Sequence, residues 1–102
     1  MTKNEGSNFF SIENDNKGIF RELSKGVSTR IFPGEQAMIS VVRVEPNAHG
    51  KLHSHPEEQW GYLVEGSIKR IQGGKTFEVF KGDFWRTPSN VVHGVIGGSE
   101  GA

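Results

Sequence analysis

The sequence predicts an all-β single domain, and three observations carry that reading. Short apolar runs recur between turn residues, no segment keeps helical spacing over a useful length, and Gly reaches 14 in 102 residues. That length suits one domain with one core. With 33% hydrophobic and 24% charged residues the chain reads as compact and turn-rich rather than disordered.

In chain order, residues 1–17 are polar and rich in Asn, with Phe9, Phe10 and Ile12 as the only side chains able to dock. They read as a flexible N-terminal arm, and residues 18–102 as the β-domain. From Gly18 the pattern changes. GIFREL is followed by VSTRIF, closed by Pro33-Gly34, and then by AMISVVRV, closed by Pro46-Asn47. GYLVEG, SIKRIQ, KTFEVF, FWRT and VVHGVI follow, separated by Gly73-Gly74, Lys81-Gly82-Asp83 and Pro88. The Gly73-Gly74 pair can take the positive φ angles of a tight hairpin. Such a meander of short antiparallel strands predicts a sandwich or barrel.

Composition excludes several classes of partner. Lys plus Arg and Asp plus Glu are equal at 12 each, so there is no basic field to hold nucleic acid or an anionic membrane. Cysteine is absent, which leaves imidazole and oxygen as the donors for any transition metal. The opening MTKNEGSNFFSIENDNKG holds no apolar run long enough for a signal peptide or membrane span, and a cytoplasmic protein is expected.

One constellation points to chemistry: His53-x-His55, then Gln59 and Gly66, then Gly82 leading to Pro88, and finally His93. In an extended segment His53 and His55 face the same way. A third His on a distant strand, flanked by tight-turn residues, is how a barrel gathers imidazoles around one ion. The bland alternative makes His53 and His55 exposed strand-end residues and His93 a core histidine bonded to a carbonyl.

Here the sequence resembles the cupin superfamily, of the small single-domain Cupin_2 type. Its first motif, G-x(5)-H-x-H-x(3,4)-E-x(6)-G, is met by residues 47–66 as N-AHGKL-H-S-H-PEE-Q-WGYLVE-G. Its second, G-x(5)-P-x-G-x(2)-H-x(3)-N, is met by residues 82–97 as G-DFWRT-P-S-N-VV-H-GVI-G. Asn47 and Asn90 stand where the pattern has Gly, and Asn tolerates a left-handed backbone well enough for both turns to survive. Gly97 replaces the final Asn, and Gln59 replaces the acid.

The resemblance implies an RmlC-like jelly-roll β-barrel and a divalent transition metal held by His53, His55, Gln59 and His93. Zn, Ni, Mn, Fe and Cu are all open. Of the two acids nearby, Glu58 points away from the histidines on a straight strand, and Glu57 sits beside Pro56, where the chain bends. A Gln oxygen is neutral, so the ion keeps its full charge as a Lewis acid. His49 has no motif role. Trp60, Tyr62, Phe84 and Trp85 read as core or rim, and Arg43, Lys51, Arg70 and Arg86 as surface charges.

Within cupins the chain looks most like the KdgF-like proteins that linearise unsaturated uronates and also tend to carry Gln at the acid position. That implies ring opening and tautomerisation of a small anionic sugar acid. In that group a last strand follows with a D-x-F-S-P-x-R-like segment, whereas this sequence runs GGSEGA after Ile96, so the barrel is expected to lack that strand. No catalytic residue is assigned. A dioxygenase acting on an enolic substrate and a non-catalytic small-ligand-binding cupin are the other readings. A homodimer is expected, since a missing strand leaves an open edge.

Overall fold

The computed structural model describes residues 8–102, and residues 1–7 of the expected arm lie outside the described residues. Eight strands make up the regular structure: β1 (Ile19–Ser24), β2 (Val27–Pro33), β3 (Met38–Val44), β4 (Gln59–Tyr62), β5 (Ser67–Gln72), β6 (Lys75–Phe80), β7 (Phe84–Thr87) and β8 (His93–Gly97). They form three antiparallel sheets, ordered β1-β2-β3, β4-β7 and β6-β5-β8, and together give the expected jelly roll. Among the described residues no helix is long and apolar enough to cross a membrane.

Turn residues set the element boundaries. Gly73 and Gly74 both have positive φ, at 60° and 78°, and join β5 to β6 with Gln72 opposite Lys75, the tight hairpin the sequence implies. Asn47 and Asn90 are the non-glycine residues with positive φ, at 60° and 65°, so Asn does fill the two left-handed turns where the family pattern has Gly. The fourth strand is displaced from the expected GYLVEG. It begins at Gln59, which pairs with Thr87, and stops at Tyr62, because the chain must then turn to reach Gly66 at φ 81°. The eighth begins at His93 rather than Val91, since the Pro88–Asn90 turn occupies the preceding residues.

Residues 98–102 tie two sheets together. Gly98 N–H donates to Ser67 O at the start of β5, while Val44 at the end of β3 exchanges backbone hydrogen bonds with Ala102 at 2.7 and 2.9 Å. The passage is tight. Gly97 faces Glu45 O so closely that a Cβ would overlap it, which accounts for Gly where the family pattern ends in Asn. Further out, Phe10 packs on Phe32 with ring centroids 5.1 Å apart, and Arg43 pairs with Asp15 and donates to Ile12 O.

The small core is fixed by strand alternation. Leu63, Ile68 and Val79 form its centre, with Trp85, Val95 and Ala102 packed against them, and Val27 and Val44 are buried on the facing sheet. Each such aliphatic side chain contributes about 1.5–3 kcal/mol by leaving water. Ile68 lies opposite Val79 on β6 and Gly97 on β8, so its face of β5 points inward. Arg70 and Gln72 lie two and four residues further along the same strand and face the same way.

Candidate metal centre

One strand and one loop deliver the histidines. His93 starts β8 and forms an isolated antiparallel bridge with His53, with mutual N–H to O distances of 3.0 and 2.9 Å, so the loop before β4 is pinned to β8 at the residues that carry the imidazoles. His55 follows on the same loop, and Asn90 N–H donates to its carbonyl at 2.8 Å. The ring centroids lie 4.3 Å apart for His53 and His93, 4.9 Å for His55 and His93, and 5.7 Å for His53 and His55.

Each ring is oriented by a main-chain carbonyl. Nδ1 of His53 lies 3.0 Å from Lys51 O, Nδ1 of His55 lies 2.9 Å from Glu57 O, and Nδ1 of His93 lies 2.9 Å from Val91 O. A carbonyl only accepts, so all three Nδ1 atoms carry the proton and all three Nε2 atoms present lone pairs. One nitrogen from each ring falls within 4.8 Å of the others, the spacing from which a single ion could be held. Backbone carbonyls thus act as the outer partners that fix imidazole tautomer and direction.

Two observations test whether a cation fits. His93 is 1% exposed, and its Nε2 is buried with no hydrogen-bond partner among the described residues. An orphaned buried acceptor is costly, and an ion relieves it. In addition, Gln59 Oε1 lies 3.0 Å from His55 Nε2. Two acceptors at that separation repel unless a proton or a cation lies between them, and two ligands of one small divalent ion stand about 3 Å apart. The donor set fits a divalent ion.

Neither acid of the HPEEQ run joins the cluster. Glu58 pairs outward with Arg86 at 2.9 Å, and the Glu57 carboxylate is exposed, 3.9 Å from the Nδ1 side of His55. Gln59 turns inward because it sits on β4 opposite Thr87, which is fully buried.

Burial also holds the His93 imidazole below its ordinary value of 6.5, with smaller contributions from the Arg70 charge and the two neighbouring histidines. A depressed histidine value means that the unfolded chain binds more protons than the folded one between the two values, so stability rises with pH across that window. The contribution is present above 6.5 and is lost as the pH falls through the folded value. Melting of the metal-free protein is expected to shift to lower temperature as the pH drops below 6.5, and a flat profile there would contradict a neutral, buried His93.

Sequence reasoning missed Arg70, which it read as a surface charge. Arg70 is 7% exposed. Its Nη2 donates to Thr87 Oγ1 at 2.9 Å, its Nε is 3.4 Å from Gln72 Oε1, and its guanidinium lies 5.5 Å from the centroid of the Trp85 ring. The run SIKRIQ puts Ile68 and Ile71 on opposite faces, so its pattern alone does not say which face is inward; the pairing of Ile68 with Val79 does. Conversely Trp60, Tyr62 and Phe84, expected at core or rim, are exposed on the outer side of β4 and β7. Only Trp85 of that group packs inward, lying across Gly61, where any Cβ would strike the indole.

Known proteins match this architecture. A family model described as a cupin domain matches residues 40–102. The chain is 33% identical over 85 residues to oxalate decarboxylase OxdC of Bacillus subtilis, covering 78% of this chain and 22% of that protein, so it spans about a fifth of the length of that curated relative. Among solved structures, KdgF from Halomonas sp. superposes with a TM-score of 0.71 at 22% identity, covering 82% of this chain and 78% of that one. An RmlC-like cupin from Shewanella frigidimarina gives 0.73 at 19% identity, covering 97% and 86%. At those identities the two structures speak to the fold.

Proposed function

This chain belongs to the cupin-domain family, and on that premise we propose that it is a divalent-metal-binding cupin acting on a small anionic, sugar-acid-like substrate. The ligands are His53, His55, Gln59 and His93. One observation carries the reading: the three Nε2 lone pairs converge, with the buried, unpartnered Nε2 of His93 among them and Gln59 Oε1 alongside. The ion, when bound, supplies Lewis acidity towards a carboxylate, carbonyl or ring oxygen.

The protein's own part is to hold and orient. Lys51 O, Glu57 O and Val91 O accept from Nδ1 of the three rings and keep the imidazoles aimed. Gln59 adds an oxygen without adding negative charge, which leaves the site attractive to an anion. The reaction this favours is opening of the cyclic hemiacetal of an unsaturated uronate and its tautomerisation to a keto form. The resemblance of the motifs at residues 47–66 and 82–97 to those of the KdgF-like proteins supports that choice.

Two measurements test it. The protein as purified is expected to carry a stoichiometric divalent metal by elemental analysis. Proton NMR should then show the metal-loaded protein accelerating the loss of an unsaturated uronate's ring form, and no acceleration over the spontaneous rate removes this reaction. Replacing the neutral ligand gives a sharper check. Gln59→Glu is expected to tighten divalent-metal binding by about tenfold or more, since carboxylate is the stronger donor; unchanged or weaker affinity would argue that Gln59 is not a ligand.

The sequence match to oxalate decarboxylase favours a second reading, decarboxylation of a small carboxylate at the same residues. Release of carbon dioxide from oxalate, measured beside turnover of the uronate, separates the two.

We further propose that residues 1–17 are an arm to a domain of residues 18–102 and that the chain forms a homodimer. Exposed Phe20 and Ile39, on the outward side of the β1-β2-β3 sheet, support a covered surface there. Light scattering after chromatography should give twice the chain mass, and Ile39→Asp should shift it towards one copy.

A further inference from the structure

Arg70 is a cation that the fold has buried without a counter-ion. No carboxylate lies within ion-pair distance of it among the described residues. Its partners are neutral: Thr87 Oγ1, which in turn donates to Gln72 Oε1 at 2.7 Å, and Gln72, whose Nε2 donates to Arg86 O at 2.8 Å. This network satisfies Thr87 and Gln72, yet the guanidinium has more N–H groups than it uses, and Nη1 has no partner among the described residues. Burial lowers its pKa only to about 10, so it stays charged at neutral pH. Leaving a buried charge uncompensated is costly.

Its position gives that charge a use. Arg70 lies two residues along β5 from Gln72, the cross-strand partner of His93, which is about 7 Å of strand. The side chain reaches Thr87, the cross-strand partner of Gln59. The guanidinium therefore stands between the two strand pairs that carry His93 and Gln59, on the inward face. Trp85, on whose ring it lies, has a buried Nε1–H that also lacks a partner. Two unused donor groups thus meet beside the histidine cluster.

We infer that Arg70 is the carboxylate anchor of the site: its guanidinium binds the carboxylate of the substrate, while another oxygen of the same molecule, several bonds away, reaches the ion at the histidines. This rests on the metal-binding reading above and changes one part of it, because the ion is left free for a carbonyl or ring oxygen. A planar fork of N–H donors matches a carboxylate in a way that an ammonium does not.

The test uses D-galacturonate and its neutral counterpart D-galactose as probes, titrated calorimetrically into the wild type, Arg70→Lys and Arg70→Met, each with metal content and melting temperature measured. The wild type should bind galacturonate and not galactose, and both variants should bind galacturonate about ten- to a hundredfold more weakly at unchanged metal content. Arg70→Lys keeps the charge and most of the volume, so it remains informative if Arg70→Met fails to fold. Wild-type affinity in the folded variants overturns the anchor, as does a wild type that binds neither sugar or both equally. Arg70-dependent binding of galacturonate by a wild type that takes up no metal would sink the metal reading and leave the anchor standing.

Discussion

His93→Ala is expected to abolish stoichiometric metal, with affinity falling by about a hundredfold or more. The reason lies in how the ring is held. His93 is the most buried of the three histidines, its Nδ1 is committed to Val91 O, and its Nε2 has no partner among the described residues. Alanine removes the buried imidazole from the enclosed side of the cluster. His53→Ala should have a similar effect, although that ring is more exposed and water can occupy part of its place. Elemental analysis after dialysis checks both variants, and full metal retention in either would remove that residue from the ligand set. The same measurement separates metal loss from unfolding, provided the melting temperature of the metal-free forms is recorded beside it.

Gly66→Ala is expected to have the largest effect on stability, about 3 kcal/mol or more. Gly66 has a φ of 81°, and a Cβ there would overlap Gly101 O, with Gly101 C at 2.8 Å and Ala102 Cα at 3.0 Å. These are backbone atoms, and the segment they belong to carries the Ala102–Val44 hydrogen bonds between sheets. Relief of the clash must therefore disturb the sheet-to-sheet link as well as the turn. Gly74 has a similar φ but open space around it, so Gly74→Ala should cost only about 1 kcal/mol. Chemical denaturation of the pair measures the difference, and equal destabilisation would show that strain at positive φ accounts for both.

Most of the strand order was legible because it depends on local features. Gly73-Gly74, Asn47 and Asn90 mark turns whose backbone demands are met by residue type alone. The gathering of His53, His55 and His93 was legible through motif spacing, and so was the preference for Gln59 over Glu57 and Glu58 as the inward-facing side chain. Arg70 was not. It sits in a strand whose apolar residues fall on both faces, so only its distant neighbours decide which way it points.

The sequence by itself therefore determined the all-β architecture, its turns and which imidazoles converge, since each of these follows from residue type at short range or from the motif spacing that the chain shares with cupins. Tertiary structure alone decided the chemistry within the site. The carbonyls of Lys51, Glu57 and Val91 choose the histidine tautomer, Arg86 draws Glu58 outward, and the pairing of β5 with β6 and β8 turns Arg70 inward. Each of these depends on where groups sit in space and on whether a buried one finds a partner, and neither property is encoded by the pattern of a single strand.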